Sequence, residues 1–283
     1  MDQRRVTVYT PESALANPAQ LLREMLRDLI ASRELAWRLM VRDLSAQYRQ
    51  TYLGFLWAII LPLANALVWI FLNRSGVLKM QDTGLPYPVY VFTGTMLWAI
   101  LMDALNAPLQ VVTASKSMLA KIKFPREALV LAGVYETLAN ALIKVILLFG
   151  VLVWMGVTSQ LSWLLVPLGI LSLTLAGTVI GLILTPFGLL YNDVSKAIPL
   201  LMQFAMYLTP VVFAMPKDGP SATVFQLNPL TPLILTVRDW LTGLSPEHVV
   251  YFAVVNAVSI GLLFIFWGVF RLAMPILIER MGN

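Results

Sequence analysis

The chain has 283 residues, of which 59% are hydrophobic and 12% are charged, and this composition excludes an ordinary soluble domain. The net charge is +5, and the basic residues are expected to mark segments on the cytoplasmic side of a membrane. In so apolar a chain this charge does not indicate a nucleic-acid partner. With no cysteine and one histidine, the sequence excludes disulfides, thiolate nucleophiles and a metal site built from His or Cys. We therefore predict an all-α, multi-pass membrane protein without a bound metal.

Residues 1–52 are predicted to form a cytoplasmic N-terminal region with amphipathic helices at the membrane interface. The strongest pattern is RELAWRLMVRDLSAQYRQTYLGFLWAIILP, residues 33–62, in which a charged helix leads directly into an apolar span. If residues 33–49 form one helix, Arg38, Arg42 and Arg49 lie within roughly 40° of each other. This arginine stripe indicates either a membrane anchor on the positively charged inner side or a site for a phosphate-bearing lipid.

Six apolar segments are each long enough to cross a bilayer, for which about 20 residues suffice. They are predicted at 53–72, 87–110, 128–154, 163–190, 197–215 and 249–270, in a transmembrane domain of residues 53–272 with a cytoplasmic tail at 273–283. Eight basic residues precede the first span and four lie between the second and third, whereas the three outer segments together contain four. This bias predicts that both termini are cytoplasmic.

Three charged residues interrupt the predicted spans: Asp103 in the second, and Glu136 and Lys144 in the third. Charges at membrane depth are costly, so these side chains are expected to face other protein or water. They are predicted to form an ion cluster, which either fixes the packing of the spans or lies on a translocation path. Four glycines in the fourth span predict that a neighbouring helix approaches closely; they are Gly169, Gly177, Gly181 and Gly188.

Two segments between spans are unusual. Residues 113–127, TASKSMLAKIKFPRE, combine a small apolar face with basic residues, which is typical of a short helix that docks on a partner domain or of a basic loop on anionic lipid. Residues 217–248 contain an apolar run that is too short to span and is interrupted by Pro232 and Arg238. We predict one or two short helices that enter the outer leaflet partway.

Motifs for catalysis are absent from the sequence. There is no Gly-x-x-x-x-Gly-Lys-Ser/Thr loop for ATP, no Gly-x-Ser-x-Gly elbow and no His-Glu-x-x-His helix. The chain is therefore predicted to be a conduit or binding scaffold and not an enzyme, with its energy supplied by an ion gradient or another subunit. An ion-coupled transporter would have internal repeats with discontinuous spans in both halves, and only one re-entrant segment is found.

From residue 33 to the C-terminus, the sequence resembles the permease subunits of ATP-binding-cassette (ABC) exporters for polysaccharides, the Wzm-like family. The motifs that carry the resemblance are Tyr48-Arg49 with Leu53-Gly54, Trp57 and Pro62; residues 121–127; Asn192-Asp193-Val194; and Asn228-Pro229 through to Arg238. The family usually has an arginine before the aspartate of the inner loop, residues 191–196, where Asn192 stands here, and this departure weakens any claim that a basic residue in that loop is needed.

The resemblance implies a homodimer of six-span subunits in the bacterial inner membrane. Two separate nucleotide-binding subunits would bind ATP and Mg, while this chain binds no cofactor. The implied substrate is a lipid-diphosphate-linked polysaccharide, with lipopolysaccharide O antigen as the first expectation and capsular polysaccharide or teichoic acid as near alternatives. An exporter of a small lipid or drug with the same architecture is a more distant alternative.

The resemblance and the residue patterns together assign candidate residues to four roles. Guanidinium groups bind phosphate oxygens bidentately, so the headgroup candidates are Arg38, Arg42 and Arg49 with Tyr48. Aromatic candidates for the glycan path, for which packing is the alternative, are Trp57, Phe204, Tyr207 and Phe213. Candidates for coupling to the ATPase subunit are Lys116, Met118, Lys121, Ile122, Lys123, Phe124, Arg126, Glu127 and Asp193. Candidates for an outer gate are Asn228, Pro229, Leu233, Val237 and Arg238.

Overall fold

The computed structural model describes residues 18–49, 52, 56–76, 84–119, 121, 124–157, 161–216 and 218–281. Within these ranges every regular element is helical, which confirms the predicted all-α class. The helices are α1 (Pro18–Ala31), α2 (Arg33–Arg49), α3 (Trp57–Arg74), α4 (Tyr87–Ala114), α5 (Lys116–Leu119), α6 (Glu127–Trp154), α7 (Val166–Leu190), α8 (Asn192–Tyr207), α9 (Pro220–Leu227), α10 (Leu230–Thr242) and α11 (Val249–Met281). A 3₁₀ turn, Leu161–Leu165, leads into α7.

Among the described residues, four helical segments are long and apolar enough to cross a membrane. They are Tyr87–Ala114, Glu127–Trp154, Leu161–Leu190 and Val249–Leu277. A shorter apolar segment, Ile60–Arg74, lies in α3, and α8 has 16 residues. The protein is therefore a multi-pass helical membrane protein, and the arrangement of six spans stays a prediction.

Helix α4 lies at the centre of the bundle, because 78% of its most apolar 18-residue stretch is buried inside the protein. For the segment that contains α7, the buried share is 67%. Glycines on α7 allow these two helices to approach each other. A Cβ at Gly177 would lie 2.6 Å from the backbone oxygen of Leu101, and one at Gly188 would lie 2.8 Å from a methyl carbon of Leu109. The predicted close approach is confirmed, because any larger side chain at Gly177 would force the backbones apart.

The helix of the predicted fifth span differs from the prediction at both ends. It begins at Asn192, within the segment predicted as an inner loop, and ends at Tyr207 instead of residue 215. Proline disfavours helical backbone at the residue before it, and Pro210 follows three residues after the last helical residue. Residues 208–213 consequently form turns that leave several carbonyl groups inside the protein without helical partners. At the other end of the chain, α11 continues to Met281, so most of the predicted tail is helical.

The N-terminal helices pack against the rest of the chain through a second apolar core. Met25 of α1 and Ala36 and Leu39 of α2 are buried together with residues of α6 and α11, among them Leu129 and Phe270. Helix α2 therefore has one face fixed to the bundle. Its opposite side includes Trp37 and Val41, which are exposed.

An ion cluster that the sequence analysis did not predict joins three helices next to this core. Arg271 of α11 donates hydrogen bonds to Glu127 of α6 at 2.5 Å and to Asp28 of α1 at 2.9 Å, and Glu24 lies 3.9 Å away. Glu127 is 3% exposed, so its charge is compensated inside the protein. This cluster fixes the start of α6, directly after the basic segment of residues 113–127.

Candidate functional site

Helix α2 presents its arginines as the sequence predicts, since Arg33–Arg49 forms one continuous helix. Arg38 donates to Glu34 one turn earlier at 2.7 Å, and both side chains are exposed. Arg42 donates to both carboxylate oxygens of Asp43, at 2.7 and 3.0 Å, while its side chain remains 42% exposed. The side chains of the other two headgroup candidates, Tyr48 and Arg49, lie outside the described part of the chain.

Arg42 also connects α2 to the segment predicted to couple with an ATPase. Its Nη2 donates to the hydroxyl of Ser115 at 3.1 Å. Ser115 is buried at the junction of α4 and α5, and its carbonyl oxygen accepts hydrogen bonds from the backbone N–H groups of Met118 and Leu119. A change in the position of Arg42 would therefore act directly on the residue at which the short helix α5 begins.

The remaining coupling candidates occupy different environments. Lys116 and Lys121 are exposed, as is Asp193 at the start of α8. Met118 and Phe124 are half-buried and pack against the second core. Two candidates, Ile122 and Lys123, fall outside the described residues; Arg126 is half-buried and Glu127 belongs to the Arg271 cluster.

The predicted ion cluster inside the bundle forms in part. Lys144 of α6 is 8% exposed and donates a hydrogen bond to the carboxylate of Asp103 on α4. Glu136, also on α6, lines a small cavity together with Asp103. Since no described side chain donates a hydrogen bond to Glu136, it lies beside the ion pair without joining it.

A cavity of about 550 Å³ extends from this ion pair toward the end of α2. It lies among α2, α3, α4, α6 and α8. Its polar lining residues are Gln47, Asn65, Thr95, Asp103, Asn140 and Lys144, and the indole rings of Trp57 and Trp98 form part of its wall. A second cavity of about 110 Å³ shares Gln47, Asp103 and Asn140 with the first and adds Glu136 and the amides of Asn106 and Gln110.

These polar groups would be costly in a membrane bundle if they served packing alone. The two adjoining cavities give them water-sized space between helices, within reach of the arginine helix α2. The sequence analysis missed Trp98 as a member of this site. No periodic signal pointed to Trp98, because at about 100° per residue Trp98 and Asp103 lie roughly 140° apart around α4.

The four aromatic path candidates do not form one surface within the chain. Trp57 lines the large cavity, whereas Phe204 is 60% exposed on the outside of α8. Tyr207 and Phe213 pack against Trp69, with ring centroids 6.2 and 5.6 Å from it. Tyr207 and Phe213 therefore pack within the chain beside Trp69, and their role in a glycan path stays a prediction.

Arg238, predicted for an outer gate, is 1% exposed and lies deep inside the protein. Its Nη1 donates to the carbonyl oxygen of Pro210 at 2.8 Å and its Nη2 to that of Val211 at 2.9 Å. The guanidinium carbon lies 3.7 Å from the ring centroid of Tyr90, whose hydroxyl group lies within hydrogen-bond distance of the carbonyls of Pro210 and Phe213. Arg238 and Tyr90 thus supply donors for the carbonyls left free where α8 ends.

The other gate candidates surround the same segment. Asn228 donates to the carbonyl of Leu208 at 2.9 Å and to the hydroxyl of Thr209 at 2.8 Å, and it accepts from the N–H of Leu230. Pro229 precedes α10, and Leu233 and Val237 are buried. The predicted gate segment is therefore packed into the bundle through α10.

Comparison with known proteins gives several relatives, although no family model matches the chain. An O-antigen export system permease protein, RfbA of Klebsiella pneumoniae, is 25% identical over 227 residues, which cover 78% of this chain and 86% of the relative. RfbA of Myxococcus xanthus is 22% identical, covering 76% of this chain and 82% of the relative. The polysialic acid transport protein KpsM of Escherichia coli is 24% identical, covering 71% of this chain and 78% of the relative. These homologues confirm the resemblance to Wzm-like ABC permeases.

Proposed function

We propose that this chain, a homologue of the polysaccharide-export permeases, is the membrane subunit of an ATP-driven exporter of lipid-diphosphate-linked polysaccharide. The expected polymer is lipopolysaccharide O antigen and the expected membrane is the bacterial inner membrane. The observation that carries this proposal is the match to O-antigen export permeases over about three quarters of the chain, 78% for the relative in K. pneumoniae. ATP and Mg would be bound by a separate nucleotide-binding subunit, and this chain would not be an enzyme.

The lipid diphosphate would bind at the arginine helix α2. Arg38 and Arg42 are paired with Glu34 and Asp43, and exposed ion pairs of this kind contribute about 0–1 kcal/mol. A diphosphate offers each guanidinium more charge than a carboxylate does, so it can replace those partners at small cost. When Arg42 turns toward a headgroup, it loses its hydrogen bond to Ser115. Binding of the headgroup would therefore change the contacts of the residue that directly precedes α5.

Residues 113–127 would dock on the ATPase subunit. The exposed ammonium groups of Lys116 and Lys121 are available to acidic groups on such a partner. The start of α6 is fixed by the pair of Glu127 and Arg271, so a force applied to the segment is transmitted to α6 and α11 instead of being absorbed locally. The short helix α5, held in this way, has a suitable size and charge to bind in a groove of a partner domain.

Six spans and a homodimer complete the proposed architecture. The four long apolar helices account for four crossings, and α3 and α8 together with residues 208–216 would provide the others. On the side of α3 the wall of the large cavity includes Trp57 and Leu61, which are 40% and 61% exposed, so the cavity is open there. A second subunit placed against α3 would close the cavity. An even number of crossings leaves both termini on the same side of the membrane, and the distribution of basic residues predicts that this side is the cytoplasm.

Capsular polysaccharide is a second candidate substrate. It is favoured by the similarity to the polysialic acid transport protein of E. coli, which is 24% identical over 212 residues. The headgroup site and the coupling segment would serve either polymer, because both candidates are long glycans on a lipid anchor.

Deletion of this chain in its host tests the proposal. We expect long lipid-linked glycan to accumulate on the cytoplasmic side and to disappear from the cell surface, with surface display restored by the wild-type chain on a plasmid. Analysis of the trapped material would identify the sugar and the lipid carrier. Normal surface display in a deletion strain without a redundant exporter would overturn the proposal.

A further inference from the structure

We propose that the large cavity beside Asp103 and Lys144 binds uncharged sugar residues, and that the exporter therefore selects neutral over acidic polysaccharides. This inference rests on the proposed function and specifies its substrate class. The proposed sugar site gives a role to the ion pair and to the amide side chains around it. None of these residues belongs to the headgroup, coupling or gate candidates.

The chemistry of the cavity wall suits a sugar. The side-chain amides of Gln47, Asn65 and Asn140 each contain both a hydrogen-bond donor and an acceptor, as a sugar hydroxyl does. The indoles of Trp57 and Trp98 provide flat apolar faces for the C–H faces of a pyranose ring. The volume of about 550 Å³ lies within the range of roughly 300–1,000 Å³ for small-molecule sites.

The charges of the wall argue against an acidic sugar. Lys144 is the cation of the described lining, and its ammonium is already bound to Asp103. The adjoining small cavity adds Glu136, so the described residues of the two linings carry a net charge of zero when Glu136 is protonated and a negative charge when it is ionised. A carboxylate-bearing sugar would have to separate Lys144 from Asp103 or face repulsion, and separation is unfavourable because the ammonium of Lys144 is buried while Asp103 is half-buried.

A neutral sugar avoids this cost. Its hydroxyl groups can donate to the free lone pairs of Asp103 and accept from the remaining N–H groups of Lys144 while the ion pair stays intact. Two of the arginines that would bind the diphosphate, Arg38 and Arg42, lie on α2 outside this lining. The anionic anchor and the neutral polymer would thus be recognised at separate places.

Cysteine labelling tests the site, because the chain contains no cysteine of its own. Ala99 lines the cavity and is half-buried, so Ala99→Cys reports on access to it. The probe is a charged, membrane-impermeant methanethiosulfonate, applied to permeabilised cells that make undecaprenyl-diphosphate-linked mannan, the same carrier with a chain containing glucuronic acid, or no glycan. We expect mannan to remove most of the labelling and the acidic chain to leave it unchanged.

Two further positions serve as controls. Ser221→Cys, exposed on α9, should be labelled equally in all three strains, and Ile146→Cys, exposed on the apolar outer face of α6, should be labelled in none. Equal protection by the acidic chain, or mannan export without protection at residue 99, would overturn the inference and leave the proposed function intact. Export of neither glycan, with no protection by either, would overturn both.

Charge variants give a second measurement. Asp103→Asn leaves Lys144 without its carboxylate and makes the lining more positive, so protection should shift toward the acidic chain. If Asp103→Asn fails to accumulate in the membrane, Glu136→Gln breaks no ion pair among the described residues and should shift protection the same way by a smaller amount. An unchanged ratio in the variant that inserts would overturn the charge argument.

Discussion

Arg42 on α2 and Arg238 on α10 were both predicted as functional arginines, and the structure gives them opposite surroundings. The side chain of Arg42 is 42% exposed and is bound by the side chains of Asp43 and Ser115. Arg238 is 1% exposed and is bound by two backbone carbonyls and the ring of Tyr90. An exposed guanidinium can exchange its partners for those of a ligand, whereas a buried one must keep them because no water replaces them. Arg42 therefore suits substrate handling and Arg238 suits stabilising the fold.

Replacing Arg238 with methionine should have the largest effect. The carbonyls of Pro210 and Val211 would lose their donors and Tyr90 its cation, a loss of about 3–5 kcal/mol of folding stability. We expect little folded protein after detergent extraction, measured as the monodisperse fraction and the thermal melting temperature. Arg27→Met, at an exposed arginine of α1, is the matched control and should behave as wild type. A stable Arg238→Met protein that no longer exports would show instead that this arginine acts on the substrate.

The double variant Arg42→Gln with Arg49→Gln should reverse this pattern by abolishing export without loss of folded protein. The stripe loses two guanidinium groups for the diphosphate, while the exposed pair with Asp43 contributes about 0–1 kcal/mol to stability. Surface glycan and the amount of protein in the membrane are the two measurements. Arg23→Gln with Arg27→Gln on α1 removes the same charge and should leave export intact. Normal surface glycan in the first double variant would remove the headgroup role of α2.

Gly94→Ala probes the contact of Arg238 with α4 and should have an intermediate effect. A Cβ at residue 94 would collide with the carbonyl of Val211 and the guanidinium of Arg238, so the turns after α8 would have to shift. Overpacking of this kind costs about 1–3 kcal/mol. Gly150→Ala in α6, where a Cβ meets no atom within 4 Å, is the control and should be neutral or stabilising. Equal melting temperatures of the two variants would contradict the tight contact described at Gly94.

The sequence predicted the features that depend on local spacing. Helical periodicity defined α2 and placed Arg38 and Arg42 on it, and the glycines of α7 indicated the close approach of a neighbouring helix, which in the structure is α4 at Gly177 and α10 at Gly169. The pairing of Lys144 with Asp103 was also predictable, because two opposite charges at similar membrane depth have few other partners.

Features that depend on distant contacts were not predictable in the same way. Arg271 binds Glu127 and Asp28, which are 144 and 243 residues away in the chain, and no periodic pattern relates such positions. The end of α8 at Tyr207 depends on donors from α4 and α10 that make a non-helical segment tolerable inside the bundle. Pro210 indicates from the sequence that the run from 197 to 215 is interrupted, whereas the donors that satisfy the carbonyls after Tyr207 come from distant residues such as Arg238.

Tyr90→Phe should have the smallest effect and separates the two parts of the Arg238 site. The tyrosine hydroxyl shares its one proton between the carbonyls of Pro210 and Phe213, at 3.1 and 2.9 Å, and Pro210 retains the donor from Arg238. The variant therefore loses about one hydrogen bond, or roughly 1 kcal/mol, and should keep export. Tyr90→Leu also removes the ring below the guanidinium and should lower the melting temperature further, by an amount that reflects about 0.5–2 kcal/mol of cation–π energy. If Tyr90→Phe were as damaging as Arg238→Met, the hydroxyl and not the guanidinium would be the main support of the segment after α8.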